Sequence, residues 1–200
     1  MRRGTGFALC LCLLAACGGP AEPVWAPDEA VQAFRHSSTS PPEITLYTVV
    51  SKASGSGAHS GLLINGRERI LFDPAGTFKL PFAPERNDVI HGVTDQVQAV
   101  YIDYHARETY DVIEQRLPVT LAQAEAIAGL AKGYGAVPKA QCSLAITRIL
   151  TQVPGFESIP VGYFPNRLSQ SIDTFPGVRS RVITDDDADK NHNVLIRAGG

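Results

Sequence analysis

The chain has 200 residues, 44% of them hydrophobic, and its 18 Lys and Arg nearly balance its 20 Asp and Glu. This length corresponds to one domain once any export signal is removed. The balanced charge argues against a nucleic acid or an acidic polymer as partner.

The first 16 residues, MRRGTGFALCLCLLAA, are typical of a secretory signal peptide. Their apolar run of about 10 residues follows two arginines and is too short to span a bilayer. It ends in Leu14-Ala15-Ala16-Cys17, which resembles the lipobox of bacterial lipoproteins. The resemblance implies a diacylated Cys17 as the mature N-terminus, and Gly18 favours the periplasmic face of the outer membrane. A plain signal peptide cleaved at a small residue is the alternative.

The cysteines divide into two groups. Cys10 and Cys12 leave with the signal peptide and Cys17 would carry lipid, so Cys142 remains as the single thiol of the domain. With no partner in the domain, Cys142 cannot form a structural disulfide there. It is either an inert buried side chain or a reactive one.

The N-terminal half predicts strands. Residues 17–42 are rich in Pro, Ala and Ser and indicate a tether, with a short helix around residues 28–34. The domain follows over residues 43–200. ITLYTVV (44–50) predicts a buried strand, and two apolar runs around Asn65-Gly66 predict a tight hairpin. That turn pairs residues whose numbers sum to about 131, which puts Asp73 beside His59.

Further elements follow in chain order. QAVYIDY (98–104) and TYDVIEQRL (109–117) predict two more strands. Thr120 and Gln123 have capping-box spacing and predict a helix over 120–135, and CSLAITRILTQ predicts a helix headed by Cys142. A short helix within 159–172 and late strands at 177–184 and 193–198 complete an α+β fold, an antiparallel sheet packed against the Cys142 helix.

Cys142 lies where a thiol becomes reactive. The start of a helix presents unpaired N–H groups and the positive end of the macrodipole, which favour the thiolate. A nucleophilic Cys also needs a base. His59 begins a strand after a glycine-rich loop, and Asp73 ends the next strand at the same end of the hairpin. Asp73 is the candidate that orients the imidazole.

These motifs carry a family resemblance. HSGLLI…RILFD, followed after a long gap by QCSLAITRIL, resembles the circularly permuted branch of the NlpC-type papain-like superfamily. The segments ITLYTVV, GAHSGLLI, DPAGTF, YDVIEQRLPVTLAQA and QCSLAITRIL are also similar, in this order over about residues 43–155, to uncharacterised domains related to bacterial lipoprotein N-acylation transferases. The residue before the Cys is Gln141, where that family commonly has Asn.

The resemblance implies a papain-like fold with Cys142 as nucleophile, His59 as general base and Asp73 as third member. An acyl-thioester would then pass to an amine or to water, with lipid or lipoprotein acyl groups as the expected substrates and the membrane as partner. Peptidoglycan peptide amides are the second substrate class. A catalytically inactive papain-like scaffold lipoprotein is the alternative from a different class.

Four weaker signals remain. His105 follows a predicted strand and could line the cleft or orient the base, and Gln141 and Tyr163 are candidate cleft residues. Two histidines and a carboxylate can bind zinc, but no short His-x-His pair supports a site at His59, Asp73 and His105. The acidic run at 185–192 lacks the EF-hand spacing. We therefore assign no metal and no cofactor.

Overall fold

The structure is a computed structural model that describes residues 19–189 and Leu195. The signal peptide, Cys17 and the predicted strand at 193–198, apart from Leu195, lie outside the described residues. The elements in chain order are α1 (Asp28–Ala33), β1 (Glu43–Ser51), β2 (Gly57–Asn65), β3 (Arg69–Phe72), β4 (Glu85–Arg86), β5 (Val89–Ile90), α2 (Asp95–His105), β6 (Tyr110–Pro118), α3 (Leu121–Tyr134), α4 (Cys142–Leu150), α5 (Pro165–Ile172) and β7 (Arg179–Ile183).

The fold is mixed α+β and is built on one sheet of seven strands in the order β4-β5-β3-β2-β1-β6-β7. Every pairing is antiparallel. β1 is an interior strand, and its apolar, β-branched run packs on both faces, with Ile44, Leu46 and Tyr47 each 1% exposed. Among residues 19–189, no helix is both long and apolar enough to cross a membrane.

Two hydrophobic cores cover the two faces of the sheet. One face packs against α3, α4 and α5 through residues such as Leu62, Ile127 and Ile146. The other packs against α2 through Tyr101 and its neighbours. Because successive residues of a strand point to opposite faces, β2 serves both cores.

The predicted strand at 98–104 is wrong, because these residues belong to α2. Thr94 caps this helix by accepting a hydrogen bond from the Val97 N–H, and Val97, Tyr101 and Tyr104 are buried at helical spacing. The β-branched and aromatic side chains that suggest a strand are here the apolar face of a helix. Tertiary packing outweighs their intrinsic β-propensity.

The predicted hairpin exists with a different turn and register. β2 and β3 are joined by residues 66–68 rather than by Asn65-Gly66 alone, and paired residues such as Leu62 and Phe72 have numbers that sum to 134. Continued past Phe72, this register points Asp73 towards Gly61 instead of His59. Gly61 and His59 lie on the same face of β2, since side chains alternate, so Asp73 still approaches the imidazole.

The segment before β1 follows the surface of the domain. Asn87 N–H donates to the Val24 carbonyl and Ala26 N–H to the Glu85 carbonyl, so this segment pairs with β4. The Arg86 guanidinium lies over the Trp25 ring at 4.6 Å from its centroid. At its start, Gly19 accepts a hydrogen bond of 3.2 Å from the Lys139 N–H. We call residues 19–28 the N-terminal arm.

Candidate active site

Cys142 lies at the first residue of α4 and against the free edge of β2. The β2–β3 ladder ends at Leu62 and Phe72, so the earlier part of β2 has no β3 neighbour. The backbone N–H groups of Ser60 and Ser143 donate to the Cys142 sulfur. The Ser60 and Ser143 hydroxyls hydrogen-bond each other at 3.0 Å, which fixes the start of α4 to β2.

His59 connects the thiol to a buried carboxylate. Its Nε2 lies 2.7 Å from Asp73 Oδ1, and its ring also hydrogen-bonds the Cys142 side chain. Since Nε2 is engaged with Asp73, Nδ1 is the nitrogen left for the thiol. The His59 side chain is 16% exposed and Cys142 is 5% exposed, so the open edge of the site is on the imidazole side.

Asp73 is held by a residue that the sequence did not indicate. The Tyr101 hydroxyl, carried by α2, donates to the same oxygen, Asp73 Oδ1, at 2.7 Å. Gly61 makes room for this contact, because a Cβ there would overlap the Tyr101 hydroxyl and lie 3.3 Å from Oδ1. Gly76 does the same on the other side, where a Cβ would overlap Oδ2. The carboxylate therefore sits in a cradle of two glycines and a phenol.

The charges in this row favour a thiolate and an imidazolium. Burial favours neutral His59, but the charges and hydrogen bonds of Asp73 and Cys142 together outweigh burial and raise the pKa of His59 to about 10. Burial likewise favours protonated Asp73, yet the charge and hydrogen bond of His59 lower the pKa of that carboxyl. Burial would raise the pKa of the Cys142 thiol, but the His59 hydrogen bond and charge lower it.

His105 lies against His59 without replacing Asp73 as its partner. The two rings are stacked, 5.5 Å apart at their centroids and 9° from parallel. His105 Nδ1 donates to the Tyr101 carbonyl oxygen at 2.8 Å. Burial lowers the pKa of His105 to about 4, so its ring is neutral.

His59, Asp73 and His105 are also the three residues of the zinc site considered from the sequence. His59, Asp73 and His105 each offer an atom within 4.8 Å of the others. Two imidazoles that share a metal must direct their nitrogens to one point, whereas stacked parallel rings direct them side by side. The 2.7 Å contact between His59 and Asp73 is also shorter than the roughly 3.3 Å between two ligand atoms of one tetrahedral zinc, so the geometry favours a hydrogen-bonded triad.

The other candidate cleft residues lie at the margin. Gln141 is the residue before α4 and is half-buried, and its side chain makes no capping bond to the helix. Tyr163 is 54% exposed in the loop that follows α4. That loop is attached to α4, because Gly162 N–H donates to Thr147 Oγ1 at 3.2 Å.

Tyr101 was missed because 98–104 was assigned to a strand. The signal that could have found it is Thr94, a good N-cap residue, followed by apolar side chains at 97, 101 and 104. A helix drawn on that spacing places Tyr101 on its buried face.

In the comparisons with known proteins, no family model, no curated protein and no solved structure matches this chain.

Proposed function

We propose that the chain is a cysteine-dependent acyl-transfer enzyme that attacks an ester or amide carbonyl through an acyl-thioester. The observation that carries this proposal is the unbroken row from the Cys142 thiol through His59 to Asp73. A nucleophile, a base and a group that orients the base are the parts that covalent acyl transfer needs.

The first half-reaction forms the thioester. The Cys142 thiolate attacks the carbonyl carbon, a carbon–sulfur bond forms, and the carbonyl electrons move to oxygen. The first N–H groups of α4 have no partner within the helix, so that of Cys142 can donate to this oxyanion. When the intermediate collapses, the bond to the leaving alcohol or amine breaks, and the leaving group takes the proton from the His59 imidazolium.

The second half-reaction releases the acyl group. An amine or water gives its proton to neutral His59 and attacks the thioester carbon, after which the carbon–sulfur bond breaks. The thiolate and the imidazolium are restored together. Asp73 stays ionised throughout and stabilises the imidazolium by charge and by its hydrogen bond. An amine acceptor makes the chain a transferase, and water makes it a hydrolase.

The acyl groups that we propose are those of lipids or lipoproteins at the cell envelope. This part depends on the resemblance to the permuted papain-like superfamily and on Cys17, which would anchor an exported chain at the periplasmic face of the outer membrane. A helix that starts at Cys142 and an antiparallel sheet that bears His59 and Asp73 agree with that resemblance. They also fit a peptidoglycan peptide amide, so the substrate has to be tested.

The test is labelling of the purified chain with a soluble thiol-reactive acyl probe. Cys142→Ala should abolish labelling, and His59→Ala should slow it strongly, because the thiolate then loses the cation beside it. His36→Ala is the matched control, since it removes an imidazole in the segment before β1 and leaves the row intact. Labelling that is unchanged in His59→Ala removes the proposed base, and no labelling of the intact chain favours the inactive scaffold.

A lipid ester and a muropeptide offered as competitors then separate the substrate classes. A lipid substrate should slow probe labelling of Cys142 because it occupies the sulfur, whereas the muropeptide should not. The reverse result assigns the site to peptidoglycan.

A further inference from the structure

The loop between α4 and α5 exposes a run of apolar side chains. Val161, Tyr163 and Phe164 are 53%, 54% and 67% exposed. Among the described residues, they are three of the eight large hydrophobic side chains that are exposed, and they lie within four consecutive positions. Scattered exposed apolar residues need no explanation, but a cluster indicates a contact surface. We call residues 161–164 the apolar loop.

The apolar loop is attached to the two elements that carry the candidate active site. Gly162 N–H donates to Thr147 Oγ1 on the helix that carries Cys142. At its other end, Asn166 Nδ2 donates at 2.8 Å to the carbonyl of Gly55, in the turn that leads into β2 and His59. The loop thus connects the two elements that supply the thiol and the base.

The N-terminal arm attaches the expected lipid anchor to the segment that leads into the Cys142 helix. The Gly19 carbonyl is bound by the N–H of Lys139, which stands three residues before Cys142. Glu22 reinforces this attachment through Lys139 Nζ at 3.4 Å. Cys17 precedes Gly19 by two residues, and consecutive Cα atoms are 3.8 Å apart, so a lipid on Cys17 is attached within about 8 Å of Gly19.

From these contacts we infer that the apolar loop binds the lipid bilayer and holds the opening of the Cys142–His59 site against the membrane surface. A domain on so short a connection cannot turn its attached face far from the bilayer. Phe and Tyr suit the boundary between headgroups and acyl chains, and the neighbouring exposed Arg167 can extend to lipid phosphates. The partner is thus a membrane surface rather than a protein.

The inference rests on the proposed function for its purpose, since a thiol at a bilayer serves to attack carbonyls carried by lipids or lipoproteins. It identifies the side from which those acyl groups arrive. A substrate that stays in the membrane would approach His59 past the apolar loop, without leaving the bilayer. The contact with lipid can nevertheless be measured without any chemistry at Cys142.

The experiment uses tryptophan fluorescence, because Trp25 is the single Trp of the chain. In a Trp25→Phe background, Phe164→Trp reports on the apolar loop. Val182→Trp is the matched control, because Val182 is also exposed (63%) but lies outside the loop on β7, the edge strand three positions from β2. The full chain is reconstituted in vesicles of phosphatidylethanolamine and phosphatidylglycerol that contain brominated lipid, which quenches fluorescence at short range.

The Phe164→Trp chain should be quenched at least about twofold more than the Val182→Trp chain, because interfacial side chains enter about 5–10 Å into the bilayer. Tyr163→Trp should behave like Phe164→Trp, which guards against a local effect of one substitution. Equal quenching at 164 and 182 overturns the inference, as does no quenching at either position, which is the result expected if a protein covers the loop.

A second measurement separates this inference from the proposed chemistry. Phe164→Ser with Val161→Ser should lower turnover of an ester embedded in vesicles while labelling by the soluble acyl probe stays unchanged. Failure of that labelling in the intact chain contradicts the thiol enzyme and leaves the quenching result intact. Full turnover of the vesicle substrate in the double variant contradicts the membrane role of the loop.

Discussion

The contact between Gly61, Tyr101 and Asp73 predicts a strong coupling between two substitutions. In Gly61→Ala the new Cβ overlaps the Tyr101 hydroxyl, so the phenol must move and release Asp73 Oδ1, to which it is now bonded at 2.7 Å. In Tyr101→Phe the hydroxyl is absent, and the same Cβ meets Cζ at 3.1 Å and Oδ1 at 3.3 Å. The Tyr101→Phe background should therefore tolerate Gly61→Ala much better than the unsubstituted chain does.

The magnitudes follow from the two interactions. Overpacking costs about 1–3 kcal/mol, and loss of a hydrogen bond to a charged group costs about 1.5–3 kcal/mol. Gly61→Ala should thus lower the free energy of unfolding by about 2.5–6 kcal/mol. Tyr101→Phe should lower it by about 1.5–3 kcal/mol, and the double variant by little more than Tyr101→Phe. The coupling energy should then nearly equal the Gly61→Ala loss, about 2.5–6 kcal/mol.

Urea denaturation followed by far-UV circular dichroism measures the four free energies of the cycle. Gly129→Ala is the control, because a Cβ at this α3 position meets nothing within 4 Å and should gain about 0.5–1 kcal/mol, as Gly to Ala does within a helix. It should be additive with Tyr101→Phe. If Gly61→Ala and Tyr101→Phe are also additive within about 0.5 kcal/mol, the phenol does not hold Asp73 in the way described.

Four further predictions concern the charges of the site. His59→Gln should shift the pH midpoint of Cys142 alkylation upward, because burial raises the pKa of the thiol once the imidazolium is lost; an unchanged midpoint contradicts the pair. In Cys142→Ala, the free energy of unfolding should fall as pH rises from about 6.5 through the raised pKa of His59. The reason is that the folded ring keeps a proton that the unfolded ring releases. Adding Asp73→Asn should flatten that slope in the same denaturation series. His105→Phe should reduce the loss of stability as pH falls from about 6.5 to about 4, because the buried His105 ring resists a proton that the unfolded ring accepts. The same variant should leave the pH midpoint of Cys142 alkylation unchanged. Finally, Asp73→Leu alone should lower the free energy of unfolding, measured by urea denaturation, by about 3–5 kcal/mol. The triple variant that adds His59→Leu and Tyr101→Phe should recover most of that loss, because no buried charge or donor is then left without a partner.

The sequence alone predicts that the Cys142 thiol, the His59 imidazole and the Asp73 carboxylate lie close together. Cys142 begins a strongly amphipathic run, and His59 and Asp73 flank a hairpin whose two strands are confirmed. The sum of paired residue numbers is 134 instead of 131 because the turn comprises residues 66–68, a position that Asn65-Gly66 does not reveal. The prediction of proximity survived because Gly61 and His59 share one face of β2.

The remaining features depend on tertiary packing. The β-propensity of residues 98–104 predicts a strand in place of α2, so the sequence does not indicate Tyr101 or the cradle around Asp73. The tether predicted over 17–42 gave no hint that the N-terminal arm would pair with β4, because its Pro- and Ala-rich composition has no strand periodicity. That pairing needs Arg86, whose guanidinium stacks on Trp25 and donates to the Ala26 carbonyl at 2.8 Å. Local sequence patterns do not show such contacts.

The energetics of the row support the proposed enzyme over a scaffold. Burying Asp73 as a carboxylate is costly unless the charge is paired, and here the pairing uses His59 and the Tyr101 phenol together. Apolar residues of similar volume would hold α2, α4 and the sheet together at least as well. A scaffold has no use for this arrangement, whereas acyl transfer needs an imidazole that is fixed in orientation and able to carry a proton. The buried charges are therefore better explained by chemistry at Cys142 than by support of the fold.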